Sequence, residues 1–149
     1  MRDLETVEIA LETAETGHLV FGTLHTTTAA STADRIIQQF PAVRQEQIRT
    51  MLARSLRGIV AQTLCKRKGH GRIAALEILL VTNAVSNLIR ENKIYMIESV
   101  IQTSSKLGMR SLNDSLLINA AFLVDARSGA DMAVLQPDCK KCYLIFACN

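Results

Sequence analysis

Leu4, Val7, Leu11 and Ala14 recur at helical spacing, while Glu5, Glu8, Glu12 and Glu15 occupy the intervening positions. This is the pattern of a helix with one apolar stripe. Asp3 stands where an N-cap belongs, and Gly17 where a helix stops. Leu19, Val20 and Phe21 then form a short apolar run that Gly22, Thr23 and Leu24 carry to a polar end. Such a run, set between a helical pattern and a Ser/Thr-rich stretch, predicts a strand buried on both faces of an α/β sheet.

Further along, Ser31 or Thr32 is placed to cap a helix whose apolar positions are Ala33, Ile36, Ile37 and Phe40, with Pro41 ending it. The longest helical pattern spans 43–59 through Ile48, Met51, Leu52, Ser55, Leu56 and Ile59. Arg44, Arg49, Arg54 and Arg57 do not align on one stripe of it and read as a solvated face. Two stretches rich in branched aliphatics, 59–65 and 72–81, flank the polar KRKGHGR turn and predict a hairpin. Glu77 lies inside the second of them, and a buried acid needs a partner; an arginine is the expected one. Thr82 caps a predicted helix with Val85, Leu88 and Ile89 inward. Ile94, Ile97, Val100 and Ile101 mark another, and Leu112, Leu116, Leu117 and Ala120 a third that ends near Phe122. Three helices without intervening strands predict a small helical end on an α/β core. The core is expected to bury Leu19, Val20, Phe21, Ile36, Leu52, Leu56, Ile73 and Ile78.

The polar end of the first strand concentrates candidate chemistry. Thr23, His25, Thr26, Thr27 and Thr28 follow one another there, and open α/β sheets bind ligands beyond the carboxyl ends of their strands. The plainer alternative makes His25 a loop histidine and the threonines caps for the next helix. His18 stands seven residues earlier, roughly 23 Å away if the chain is fully extended, so the two imidazoles do not share one ligand on a straight strand. His70 falls in the basic turn and reads as solvated.

Composition narrows the class. At 149 residues, 48% hydrophobic and 21% charged, the chain suits one globular domain with a real core. Aromatics are 4% and Trp is absent, so that core is aliphatic. A net charge of +3 does not argue for nucleic acid. No window approaches the ~18 consecutive apolar residues of a membrane span, and no signal peptide opens the chain, so the expected compartment is the cytoplasm. Four cysteines there read as reduced thiols. Cys139 and Cys142 have zinc-knuckle spacing but no second ligand pair beside them, and no metal site is expected.

The text MRDLETVEIALETAETGHLVFGTLHTTTAASTADRII, with NLIRE at 87–91 and LGM at 107–109, resembles the type IV pilus retraction ATPases. These are secretion-motor ATPases with a RecA-like core that work as homohexameric rings. The likeness is dense from Met1 to about Val124. It implies that 1–81 is the C-terminal part of the ATPase core, 82–128 a helical subdomain and 129–149 a divergent tail. It implies ATP and Mg2+ as cofactors of the full-length motor, tight binding of neither by this stretch alone, a pilus inner-membrane platform protein as partner, and a place in the cytoplasm peripheral to that membrane. His25 and His18 match the distal and proximal members of the family's histidine box. His25 is then the expected γ-phosphate sensor, Thr23 and Thr26 hydroxyl donors beside it, and His18 a structural or subunit-contact residue. Arg2 and Asp3 match the end of the Walker B segment, although Asp3 serves equally as a plain N-cap.

Departures from the family pattern are as informative. No G-x-x-x-x-G-K-[ST] phosphate loop occurs in the sequence, and no Walker B glutamate precedes Arg2. The 149 residues alone are therefore expected not to hydrolyse ATP, and to form the C-terminal portion of a longer motor. In AVSNLIRE, Ser86 replaces a family arginine and Asn83 a proline, which removes a fixed fork of donors. Ser104 and Ser105 replace a glycine pair. Other readings are a fragment of a pilus-assembly or type II secretion ATPase, an inert fragment, and a non-enzymatic basic module that binds nucleic acid through Lys66, Arg67, Lys68 and Arg72. The scarcity of aromatics for base stacking argues against the last.

Overall fold

The computed structural model describes residues 4–67, 70–119 and 140–146. The first helix, α1 (Leu4–Glu15), buries Val7, Ala10, Leu11 and Ala14, the stripe that its periodicity predicts. It stops at Gly17, whose φ of +96° is open to glycine at no steric cost. Strand β1 (Val20–Leu24) follows, then α2 (Ala29–Gln38) and α3 (Ala42–Ser55). The helix α2 starts earlier than expected. Thr28, not Ser31 or Thr32, is its N-cap, and Ser31 completes a reciprocal capping box. Pro41 separates the two helices and is itself the N-cap of α3.

The predicted continuation of α3 to residue 59 fails. The chain passes directly into β2 (Leu56–Lys66), which pairs antiparallel with β3 (Arg72–Leu80) as the hairpin pattern requires. Gly58 and Val60, with poor helix propensity, lie in the strand, and Leu56 and Ile59 are fully buried there instead of on a helix. The helical end comprises α4 (Asn83–Arg90), a 3-10 turn at Ile94–Met96, α5 (Ile97–Thr103), a second 3-10 turn at Ser105–Leu107, and α6 (Leu112–Asn119). Thr82 caps α4, its hydroxyl accepting from the Val85 amide at 3.5 Å. The expected end of the last helix near Phe122 lies outside the described residues.

One strand comes from the apolar run of the tail. β4 (Lys140–Phe146) inserts between β1 and β2, giving the order β1-β4-β2-β3 with every neighbouring pair antiparallel. Because β4 opposes both its neighbours, β1 and β2 run in the same direction. The described residues thus form a mixed fold of helices and an antiparallel sheet, with the described helices gathered on one face of that sheet. Leu24, Leu144, Ile59 and Leu79 on that inner face join residues of α1 to α5 in one apolar cluster. That cluster spans residues on both sides of position 81. A smaller one under α6 holds Cys65 and Ala75.

The helix layer explains where the predicted core holds. Ile36, Leu52 and Leu56 are each fully buried, and Val20, Ile73 and Ile78 partly so. Leu19 and Phe21 are not core residues: they are 60% and 70% exposed. The burial of β1 alternates, with Gly22 and Leu24 inward and Phe21 and Thr23 outward. A strand buried on both faces needs a layer on each, and the described helices supply one.

Candidate functional site

Four residues, His25 to Thr28, bridge the end of β1 and the start of α2. Their conformation is fixed by hydrogen bonds that the sequence itself provides. The Ser31 amide donates to Thr28 Oγ1 at 3.1 Å, and the Thr28 amide to Ser31 Oγ at 3.2 Å. Thr32 Oγ1 donates to the Thr28 carbonyl at 2.7 Å. A hydroxyl has one proton to give, so in the 2.7 Å contact between Thr26 and Thr32 it is Thr26 that donates. Thr26 is buried and its proton is engaged inside the loop. Thr23 stands elsewhere, on the outward face of β1 opposite Tyr143.

Two buried groups from distant strands hold the loop from below. Glu77 of β3 accepts a hydrogen bond from the Ala29 amide, the first residue of α2, at 2.6 Å. An amide at a helix N-terminus has no partner within the helix, and the carboxylate also suits the positive end of the helix dipole. The expected arginine partner of Glu77 is therefore replaced by backbone. Sequence reasoning finds the buried acid but not this partner, because an amide leaves no mark in residue identity. Burial pushes the Glu77 carboxyl above its ordinary range. The Ala29 hydrogen bond opposes that, and the charge of Glu98 adds to it. From β4, the Cys142 thiol donates to the Thr26 carbonyl at 3.4 Å.

Above this support the His25 side chain is exposed. Its carbonyl accepts from Arg35 Nη1 at 3.4 Å, and its imidazole makes no hydrogen bond among the described residues. Both ring nitrogens are open to a ligand while the backbone beneath is held. His18 sits at the opposite end of β1, also exposed, with Nδ1 3.0 Å from Thr16 Oγ1. Thr16 gives its proton to the Thr13 carbonyl at 2.8 Å, so His18 Nδ1–H is the donor. The structure thus brings His25, Thr26, Thr28, Glu77 and Cys142 together and leaves His18 and Thr23 apart from them. Arg2, Asp3 and Cys139 lie outside the described residues. Among those residues no group of three or more His, Cys, Asp and Glu is arranged to hold a metal ion.

An exposed imidazole on a braced loop can serve as one component of an anion site, and by itself it is not a complete nucleotide cradle. Phosphate cradles use rows of backbone amides with a lysine, and the motif that encodes such a row is absent from this sequence. No described helix is long and apolar enough to cross a membrane.

Comparison with known proteins gives the site its context. Residues 1–120 match the family model described as type II/IV secretion system protein. The type IV pilus retraction ATPase PilT of Pseudomonas aeruginosa is 55% identical over 113 residues, which cover 76% of this chain and 33% of that protein. A twitching motility protein of Neisseria gonorrhoeae is 56% identical over 117 residues, covering 78% of this chain and 31% of that one. Among solved structures, the crystal structure of the pilus retraction motor PilT with bound ADP superposes with a TM-score of 0.65 at 47% identity, over 78% of this chain and 36% of the motor. The chain spans about a third of the length of the curated relatives it matches.

Proposed function

Because the chain belongs to the type II/IV secretion system protein family, we propose that it is the part of a type IV pilus retraction ATPase that carries the phosphate-sensing loop. In this reading the whole motor is a homohexamer in the cytoplasm, peripheral to the inner membrane and in contact with a pilus platform protein there. It uses ATP with Mg2+ to power retraction and twitching motility. The observation that carries the reading is the 55% identity to the Pseudomonas motor over 113 residues, beside a family match whose residues 1–120 include the His25 loop.

ATP would supply the phosphoryl chemistry, and this chain's residues would position and read it. His25 presents a ring N–H donor to an anionic oxygen, the kind of preorganised group that stabilises developing charge. Thr28, Glu77 and Cys142 fix the loop, so the imidazole needs little reordering when it engages. His18, at the far end of β1, serves structure or a subunit contact. Arg2 and Asp3 would complete the Walker B end of the site, while Thr23, on the outward face of β1, stands apart from the His25 loop.

The test is a chimera. The N-terminal two thirds of the Pseudomonas motor, joined in frame to this chain, is expected to form hexamers and hydrolyse ATP, whereas the 149 residues alone do not. In the chimera, His25→Ala is expected to lower kcat about 10-fold or more, a loss of ~1.4 kcal/mol of transition-state stabilisation, with ATP affinity little changed. His18→Ala is expected to act through stability or assembly. Parental turnover in the His25 variant, or a change in ATP affinity alone, would reduce His25 to a loop residue.

A further inference from the structure

The gap between β1 and β2 is one strand wide, and β4 fills it. Paired strands lie about 4.8 Å apart, so β1 and β2 stand roughly 10 Å from each other and cannot bond across the gap. Whatever lies between them must be extended backbone that satisfies both edges. The two walls run in the same direction and are joined through α2 and α3. Helical crossovers of that kind link the strands of parallel sheets. β4 instead opposes both walls. Its inward residues fill the space: Leu144 sits between Gly22 and Ile59, and Cys142 between Leu24 and Ala61, and both Leu144 and Cys142 are fully buried.

Two observations set β4 apart from the strands around it. It starts at residue 140, beyond the family match, which ends at 120. The part of the chain shared with its relatives therefore holds both walls of the gap and not the strand between them. The fit of β4 to β2 is also broken, by a register slip between Leu56 and Gly58, whereas β2 and β3 pair without interruption from Gly58–Leu80 to Lys66–Arg72. About two thirds of the Pseudomonas motor lies outside its match to this chain, and further strands can come from there. On the outer side of the gap Leu19 and Phe21 are largely exposed, which suits an incoming portion that brings a layer of its own.

We infer that β4 is an exchangeable plug, and that it competes for this gap with an apolar strand from the part of the motor that the chain does not span, entering parallel to β1 and β2. The inference rests on reading the chain as one portion of a longer motor. Strand addition takes its affinity from main-chain hydrogen bonds and its specificity from alternate side chains. A strand buried in a parallel sheet is a near-continuous apolar run, which sets the chemistry of the incoming segment. The exchange reaches the His25 loop. At present the Cys142 thiol of β4 holds the Thr26 carbonyl at 3.4 Å. Once β4 leaves, Glu77 of β3 still holds the Ala29 amide. The support beneath Thr26 then passes to the carboxyl end of the incoming strand, because that end lies beside the carboxyl end of β1. The plug thus braces the loop while withholding from it the strand end that would otherwise lie there.

Iodoacetamide labelling, read for each cysteine by peptide mass spectrometry, follows the plug. Cys142 is buried while β4 fills the gap, and Cys65, buried beneath α6 whatever the occupant, is the reference. In the 149-residue chain both are expected to label slowly. In the chimera with the N-terminal two thirds of the Pseudomonas motor, Cys142 is expected to label about 10-fold or more faster, as an uncovered thiol does, with Cys65 unchanged. A fusion to an unrelated domain of similar size is expected to leave both protected. Protection of Cys142 in the chimera, or its release in the unrelated fusion, would overturn the inference; a dimeric mass of the 149-residue chain beside that protection would give the gap to β4 of a second copy. ATP turnover is measured separately. Release of Cys142 without turnover supports the plug and counts against the ATPase reading alone, whereas turnover with Cys142 protected counts against the plug alone. Amide hydrogen exchange of the 149-residue chain decides the matter if Cys65 also labels and the chimera is therefore not folded. The amides of β4 are expected to exchange about 10-fold or more faster than those of β3, through local release of the plug. Equal exchange in the two strands, which means that β4 leaves only on global unfolding, would overturn the inference.

Discussion

The two faces of the sheet are made of similar residues and meet different surroundings. On the inner face Leu24, Ile59, Leu79 and Leu144 are no more than 2% exposed, sealed by helices. On the outer face Phe21 is 70% and Tyr143 38% exposed, although Phe21 is the largest apolar residue of its strand. The His25 loop is anchored to the inner side through Glu77 and Cys142. The difference shows that apolar content alone does not assign a strand residue to a core; the layer it packs against does.

The strongest way to break this comparison is to truncate one residue from each side. Leu144→Ala or Leu52→Ala is expected to cost about 2–5 kcal/mol, since a buried leucine leaves a cavity that packed neighbours refill only in part. Phe21→Ala is expected to stay within about 0.5 kcal/mol, as exposed positions do. Urea denaturation of the three variants checks both. A loss in Phe21→Ala as large as in Leu144→Ala would place a packing layer on the outer face.

A smaller effect comes from the brace under the loop. Glu77→Ala leaves the Ala29 amide without its acceptor and is expected to cost about 1–3 kcal/mol. Glu77→Gln keeps an acceptor oxygen at the same reach and is expected to lose less. Amide hydrogen exchange at Ala29 distinguishes the two, with faster exchange only in the alanine variant.

The smallest effect is in pH. The carboxyl of Glu77 is raised in the folded chain, chiefly by burial, so the folded state favours its protonated form. Its contribution to stability is therefore fully present below the ordinary carboxylate pKa of about 4.3 and is lost as pH rises through the higher folded value. Glu77→Gln removes this dependence. The stability difference between parent and variant is expected to favour the parent most at acid pH and to shrink toward neutrality. The opposite slope would mean that the Ala29 hydrogen bond outweighs burial.

Much of this architecture is legible in residue order because its signals are local. The stripe of Val7, Leu11 and Ala14, the stop at Gly17, the hairpin across KRKGHGR and the cap at Thr82 each rest on neighbours a few positions apart. So does the placing of His25 at the carboxyl end of a strand. Three features resist such reading because their causes are distant. Glu77 meets an amide 48 residues away. The outward turn of Phe21 depends on how many helix layers the sheet has. The passage from α3 into β2 at Leu56 is set by pairing with β3 and β4, while the local pattern of Ile48, Leu52, Ser55 and Leu56 continues as a helix.

The insertion of β4 also dictates the order in which the sheet is assembled. Val20 pairs with Phe146 and Leu24 with Cys142, so this strand finds its hydrogen-bonding neighbour only in a segment far along the chain. Ribosomes extend a chain at about 5–20 residues per second, which leaves the edge of β1 without its neighbour for roughly 6–25 s after it emerges. Pairings of such long sequence separation are also slow to close, because loop entropy is lost before any contact is gained. Through that interval β1 offers bare backbone groups beside Leu19 and Phe21, the template on which chains adhere to one another. Its vulnerability during synthesis is therefore greater than its modest share of the finished core implies.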